Sequence, residues 1–513
     1  MRGRGTQAVW GSWRRIAAGG GESEIGGLRA RGGVRLSRRS VRRTKRSIQV
    51  IRAGIVQKEI GVETLLRDAV NRAARYLQAL PERRVSPALS ALEGLSRFSR
   101  PLQDHPLADA EVLEELDTIG SPATVASAGG RYFGFVIGGS LPAALAANIL
   151  AAAWDQNAVL EIASPVAASL EKVCRSWIAD MFSLPTEAEV GFVTSATMAN
   201  FTGLAAARHA LLQMQGWDVE ARGLFGAPPI TVIVGDEVHV SLLKALSMLG
   251  LGRERVVRVP VDGQGRMIPA QIPDIESPTV VCLQAGNVNT GAFDAADEIA
   301  SKLQGTGAWI HVDGAFGLWA AASPSRRHLA SGVERADSWA TDAHKWLNVP
   351  YDSGLVMVRD KRHLNAAMSS SAAYLIEGEQ RDPHLFVPEM SRRARAIEIW
   401  AALRSLGRSG LADLIDRSCE HARHFADALE KAGYQVLNEV MLNQVLVSFG
   451  TAEVTRRVIA RVQEDGTCWC GGTVWQGKTA MRISVSSWAT TDRDVARSLD
   501  AILRFAGKAQ SPA

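Results

Sequence analysis

Two short stretches of this chain carry residue types suited to covalent chemistry. In Ala340-Thr-Asp-Ala-His-Lys-Trp-Leu347, Lys345 sits between His344 and Trp346, and of ten lysines it is the only one between Lys302 and Lys361. A lysine drawn out of water loses charge by desolvation. A neutral ε-amine can then attack an aldehyde to give a Schiff base. The same residue also reads as a helix-end lysine with its stem on apolar surface and its head in solvent. The second stretch, Trp309-Ile-His-Val-Asp-Gly-Ala315, reads as a short buried strand ending in a carboxylate and a glycine. Open α/β sheets bind ligands beyond the carboxyl ends of their strands. Asp313 is thereby placed to pair with a cationic ring nitrogen, with an N-cap or loop role as the alternative. The 32 residues from Asp313 to Lys345 leave room for a crossover and one more strand. A Schiff-base lysine with an acidic partner for a pyridinium nitrogen is the constellation of a pyridoxal phosphate site.

The elements needed to position these residues are legible on both sides. Val190–Thr197 reads as a strand running into small and hydroxyl residues, followed by a helix Met198–Gln213 with Leu204, Ala207 and Leu211 on one face. The N-terminus of such a helix, at Ser195, Ala196 and Thr197, offers N–H groups and a positive dipole end to a phosphate. A Ser/Thr N-cap is a compatible reading. Thr231–Gly235 is a second strand, leading through His239 into a helix to Leu249, and Thr279–Gln284 a third, leading to a Gly/Asn turn at Gly286-Asn287. Ser353–Arg359 reads as the strand after Lys345. This alternation across 190–360 predicts a mostly parallel sheet covered on both faces.

Taken together, His311-Val-Asp-Gly-Ala315 and Asp342-Ala-His-Lys-Trp346 resemble the group II pyridoxal-dependent amino acid decarboxylases, which include the aromatic L-amino acid, histidine and glutamate decarboxylases. The resemblance extends from about Leu80 to the C-terminus. It implies an α/β, fold-type I pyridoxal phosphate (PLP)-dependent transferase fold, with a large domain, a smaller C-terminal α/β domain and an N-terminal helical arm. It implies Lys345 as the Schiff-base lysine, Asp313 on the pyridine nitrogen, and His239 stacked on the ring. Ser195, Ala196 and Thr197 match the phosphate-binding turn. Ala315, Asp342, His344 and Asn287 are further expected cofactor contacts, Asn287 standing where the family usually has threonine. Tyr374, 29 residues past Lys345, matches a loop tyrosine that protonates the carbanion after carbon dioxide leaves; phenylalanine there accompanies aldehyde formation. The implied reaction is decarboxylation of an L-amino acid to the amine. Transamination or oxidative deamination on the same scaffold is the rival. A cofactor-free relative that acts by binding a partner is a further alternative, against which the intact Lys345, Asp313 and His239 argue. A homodimer with shared active sites is implied as well.

Other segments bear on substrate. Arg131–Ser140 matches a region that lines the substrate pocket in similar enzymes, but Val136, Ile137, Gly138 and Gly139 are less aromatic than in aromatic decarboxylases. A plain strand and turn is the alternative there. Met390–Arg395 reads as the opening of a helix that ends near Leu406-Gly407, and Arg393 within it matches a recurring arginine of structural or cofactor-side role. Arg482 could meet a substrate carboxylate or form a salt bridge.

Length and composition frame this reading. The 513 residues suggest about three domains. Residues 1–47 hold twelve Arg and one Lys against Glu22 and Glu24, a net of +11 in a chain of net +5, so the remainder is mildly acidic. That head lacks the apolar core of a secretory signal. It reads as a disordered extension or as a start placed upstream of the folded protein; a transit peptide or a nucleic-acid tail are the other options. Without a folded basic module, no nucleic-acid partner is expected. The expected divisions are 1–50 (extension), 51–125 (helical arm, with Ile60, Leu65, Ala69, Ala73, Tyr76 and Leu77 in helical register), 126–407 (large domain) and 408–513 (small domain). The small domain should contain helix Leu414–Lys431, strand Gln444–Phe449, helix Val454–Glu464, strand Arg482–Ser487 and helix Asp492–Ala506. Five scattered cysteines make no disulfide framework, and Cys468-Trp-Cys470 lacks zinc-site spacing, so no metal is expected and a reducing cytoplasm fits. The longest apolar run, Leu141–Trp154, is too short to span a bilayer.

Overall fold

The computed structural model describes residues 61–369 and 381–510. The basic head and the segment carrying Tyr374 lie outside the described residues. The chain divides between Ala69 and Val70, and the architecture below is that of the second unit. Its strands, in chain order, are β1 Tyr132–Phe133, β2 Glu189–Val193, β3 Thr231–Gly235, β4 Val257–Val259, β5 Thr279–Gln284, β6 Trp309–Asp313, β7 Ser338–Asp342, β8 Gly354–Val358, β9 Gln435–Val436, β10 Gln444–Ser448, β11 Trp469–Trp475 and β12 Lys478–Ser484. They form a seven-stranded sheet of order β2-β8-β7-β6-β5-β3-β4 and a five-stranded sheet of order β1-β11-β12-β10-β9.

In the large sheet β7-β6-β5-β3-β4 are parallel neighbours, while β8 runs antiparallel to both β7 and β2. Its strands are apolar on both faces, as the parallel arrangement requires. Side chains alternate: Val281 and Leu283 of β5 pack with helices Pro165–Met181 and Ala396–Lys431 on one side, Val280 and Cys282 with helices Ala196–Met214 and Val240–Met248 on the other. The tryptophans Trp319, Trp339 and Trp346 are fully buried in the first of these layers. The long helix Ala396–Lys431 breaks at Gly407, whose φ of +60° is a conformation that favours glycine. Beyond the break it packs through Phe425 and Leu429 against the small sheet.

Three sequence expectations need correction. β1 falls within the segment assigned to the large domain yet pairs in parallel with β11 of the small sheet, a contact across more than 300 residues that no local pattern announces. The expected strand Arg482–Ser487 lies earlier, at Lys478–Ser484, as the second arm of a hairpin with β11 through Gln476-Gly477, both at positive φ. The helix expected from Met390 begins at Ala396, because Arg393 is bridged to Asn157 and Arg395 reaches Asp352.

All five cysteines are free and buried. Burial pushes the Cys419 thiol up to about 12 and raises Cys174 and Cys282 further. Since the thiolate is the reactive form, the native protein should release less than about one thiol equivalent to a thiol reagent. All five should react once the chain is unfolded; rapid native labelling would contradict this packing. No helix among the described residues is long and apolar enough to cross a membrane.

Candidate active site

The residues singled out by sequence gather at one end of the large sheet. Asp313 ends β6, Asp342 ends β7, His239 follows β3, and Ser195 follows β2. Because β8 is antiparallel, its first residue, Gly354, lies at this same end; a Cβ there would meet the Ser195 backbone at 2.6–2.8 Å. Period-two alternation puts Trp309, His311 and Asp313 on the sheet face that meets helix Ala196–Met214, and Ser338, Ala340 and Asp342 beside them on β7.

Lys345 is not at a helix end. It lies in the turn between β7 and β8, its side chain 21% exposed, with Nζ 3.2 Å from Asp342 Oδ2. Asp342 Oδ1 in turn accepts the Ala196 N–H at 2.5 Å. Ser195 holds the N-cap position but its hydroxyl makes no cap bond, so the carboxylate of Asp342, not the expected Ser/Thr side chain, caps this helix. His344 Nδ1 accepts the Ser353 N–H (3.1 Å), which leaves its proton on Nε2, toward Asp342. Its ring packs on Tyr351 with centroids 4.2 Å apart.

His239 N-caps helix Val240–Met248, its Nδ1 accepting the Ser241 N–H. Burial holds the ring below its usual range. Asp313 opposes that effect, and the positive Lys345 and Arg482 add to it. Asp313 is buried, which pushes its carboxyl up; His239, Lys345 and hydrogen bonds from Asn200 Nδ2 (3.0 Å) and the Ala315 N–H (3.2 Å) pull it back. Four ionisable groups thus share one local field.

Not every candidate joins this group. Asn287 closes its own turn, accepting the Asn289 and Thr290 N–H groups and donating to Gln284. Arg393 pairs with Glu398. Arg482 is half-buried on β12 and donates to the Val288 carbonyl and Asn289 Oδ1 (3.3 and 3.5 Å); among the described residues no carboxylate pairs with it. The Arg131–Ser140 stretch borders the site closely: a Cβ on Gly138 would fall 1.7 Å from the Lys345 carbonyl. Trp469 is flanked by Tyr132 and Phe135, both stacked on it. Sequence reasoning missed Asn200, whose signal was a polar residue in the small-residue stripe Ala196-Asn200-Gly203-Ala207 of the helix facing the sheet.

The donor set fits PLP. The Thr197 and Met198 N–H groups precede the first intrahelical bond, Ala199 to Ser195, and with the Ser195 hydroxyl would receive an anion, the Ala196 N–H being taken by Asp342; Lys345 offers an amine, His239 a flat neutral ring, and Asp313 a fixed carboxylate. Such a site at the strand ends of a largely parallel sheet defines a fold-type I PLP-dependent enzyme. Comparison with known proteins is more specific. The "Pyridoxal-dependent decarboxylase conserved domain" matches residues 95–451, and the chain belongs to that family: it is a PLP-dependent carboxy-lyase. It is 28% identical to an aromatic-L-amino-acid decarboxylase of Bacillus atrophaeus over 71% of this chain and 78% of that protein. It is 34% identical to an acidic amino acid decarboxylase of Mus musculus over 43% of each chain. The structure of the Oryza sativa enzyme TDC with PLP and tryptamine superposes with a TM-score of 0.81 at 22% identity, covering 88% of this chain and 98% of that one.

Proposed function

We propose that the protein decarboxylates an L-amino acid to the corresponding amine and carbon dioxide, with Lys345 as the amine that anchors the cofactor. The observation that carries this reading is the common field of His239, Asp313 and Lys345 at one end of the sheet. The bound cofactor supplies an aldehyde and an electron-accepting ring. Asp313 holds the proton on the ring nitrogen. His239 would lie against the ring and orient it, and orientation of this kind lowers a barrier by several kcal/mol. Ser195 and Thr197, beside His344, hold the phosphate end; the Ala196 N–H, expected there from the sequence, is held by Asp342 instead. Tyr374 delivers the proton to the α-carbon. Arg482, half-buried and without a carboxylate partner among the described residues, is the group assigned to a substrate carboxylate.

The reading extends to a homodimer. Leu89, Leu92, Val112 and Leu116 on the N-terminal helices are exposed in the single chain, which supports their cover by a second copy. A cytoplasmic location is supported by the five free, buried thiols.

The test is a product assay: cofactor-loaded protein is incubated with single amino acids, and carbon dioxide and amine are followed by mass spectrometry. Carbon dioxide with the matching amine is expected for one substrate. With dioxygen as the two-electron oxidant, Tyr374→Phe should divert that product toward aldehyde and ammonia, with hydrogen peroxide formed alongside. A keto acid without amine from the native protein would replace decarboxylation by another cofactor reaction, and unchanged products from the variant would remove Tyr374 from the mechanism.

A further inference from the structure

Behind Asp313 runs a buried line of side chains that the reaction above does not use. Trp309 Nε1 donates to Ser338 Oγ (2.8 Å), and Ser338 Oγ is 2.8 Å from His311 Nδ1. His311 Nε2 is 2.8 Å from Asn200 Oδ1, and Asn200 Nδ2 donates to Asp313 Oδ2 (3.0 Å). Ser338, His311 and Asn200 have no solvent exposure. His311 and Ser338 are register partners on β6 and β7. Helix Ala196–Met214 presses on them through Gly203, where a Cβ would lie 3.1–3.2 Å from the imidazole.

The two ends fix the direction of every bond between them. An indole N–H only donates and a carboxylate only accepts. If Asn200 donates to Asp313, its Oδ1 must accept, so His311 carries its proton on Nε2. Its Nδ1 then accepts the Ser338 O–H, and the Ser338 oxygen accepts the indole N–H. Each group is used once. Burial pushes His311 down to about 3, in keeping with an imidazole that carries a single proton. The reverse direction fails. A proton on the Asp313 Oδ2 lone pair that faces Asn200 would turn the Asn200 amide and move the imidazole proton to Nδ1. Ser338 would then face two donors, its own hydroxyl proton left without an acceptor in a dry site. A proton on the Oδ1 lone pair engaged by the Ala315 N–H would point at that donor, so a proton is accommodated only on the lone pairs turned away from Asn200 and Ala315.

We propose that Trp309, Ser338, His311 and Asn200 form a one-way hydrogen-bonded chain that keeps Asp313 an ionised, fixed carboxylate, with Ser338 and His311 as positioning residues acting through Asn200. Burial alone favours the neutral acid; the chain opposes it by fixing a donor on Oδ2, and a hydrogen bond to the charged form favours that form. The inference rests on the assignment of Asp313 to the ring nitrogen.

The experiment compares binding of PLP, and of the analogue with carbon in place of the ring nitrogen, to the apoenzyme by fluorescence titration across pH. The native protein should prefer PLP, and Asp313→Ala should abolish that preference. Ser338→Ala and His311→Leu should lower the preference about tenfold near neutral pH, the equivalent of a one-unit shift in Asp313 ionisation, and recover it as the pH is raised. His311→Gln keeps a donor toward Asn200 and an acceptor toward Ser338, and should retain the preference. If Ser338→Ala and His311→Leu weaken both ligands equally, the chain is scaffolding only and the proposal falls. If Asp313→Ala keeps the native preference, the ring-nitrogen assignment fails instead, and this inference with it.

Discussion

Asp313→Ala is expected to lower kcat/KM by about 10²–10³-fold, the range found when a preorganised electrostatic group is removed from a dry site, while leaving the fold intact. The carboxylate is buried and held by two donors, Asn200 Nδ2 and the Ala315 N–H. Burial pushes its carboxyl up, so in the empty protein it is a group whose charge is costly to keep. Removing it relieves that cost. The thermal midpoint of the apoenzyme should therefore stay level or rise even as turnover collapses. Asp313→Asn differs: it keeps the volume but brings an amide NH₂ against a donor on either side, and should destabilise the apoenzyme. Steady-state kinetics with the amino acid found in the product assay, beside apoenzyme melts, separate the two effects. A loss of turnover below tenfold in the alanine variant, with a fallen midpoint, would make Asp313 a structural residue.

How much of this was legible in the sequence depends on the range of the interactions involved. β3 and β5 were readable because each is an apolar run closed by Gly or Gln, and β6 because its apolar run, interrupted only by His311, closes on Asp; a strand buried on both faces needs nothing else. The crossover into β7 was inferable from spacing alone. What could not be read was pairing between distant segments. β1 joins β11 across the chain. β11 itself alternates Trp469, Gly471 and Thr473 against Cys470, Gly472 and Val474, too glycine-rich to stand out as a strand.

The site shows the same division. Lys345, Asp313 and His239 were marked by local signals, a lysine between His and Trp, a strand-end acid, and a histidine at a strand-to-helix junction. The structure brings these three into one field. Asp342 was expected beside the cofactor, yet its part as the cap of helix Ala196–Met214 was hidden, since an acid that caps a helix 146 residues earlier leaves no sequence signature. Asn287 shows the converse. Its turn was anticipated from Gly and Asn, and the structure spends its side chain on that turn. Short-range chemistry is therefore the part of this site that the sequence states outright, and long-range hydrogen bonding is the part that needs coordinates.

Lys345→Ala should abolish covalent attachment of the cofactor and lower kcat at least about 10³-fold, on the order of 4 kcal/mol of barrier. The stability of the fold should hardly change. The lysine lies in a turn, is partly exposed, and its one ion pair among the described residues is with Asp342, a kind of pair that contributes about 0–1 kcal/mol. Asp342 also keeps the Ala196 N–H as a partner when the amine is gone, so no carboxylate is stranded. Lys345→Arg tests the charge separately from the amine: a guanidinium can still pair with Asp342 but cannot bond to the aldehyde. Borohydride reduction followed by peptide mass mapping should find the cofactor on the peptide bearing Lys345 in the native protein and on no peptide in either variant. If the arginine variant restores turnover to within tenfold of native, the residue acts through its charge and the anchoring amine must be sought elsewhere. If it does not, the requirement is for the nucleophilic nitrogen itself, which only a lysine at this turn supplies.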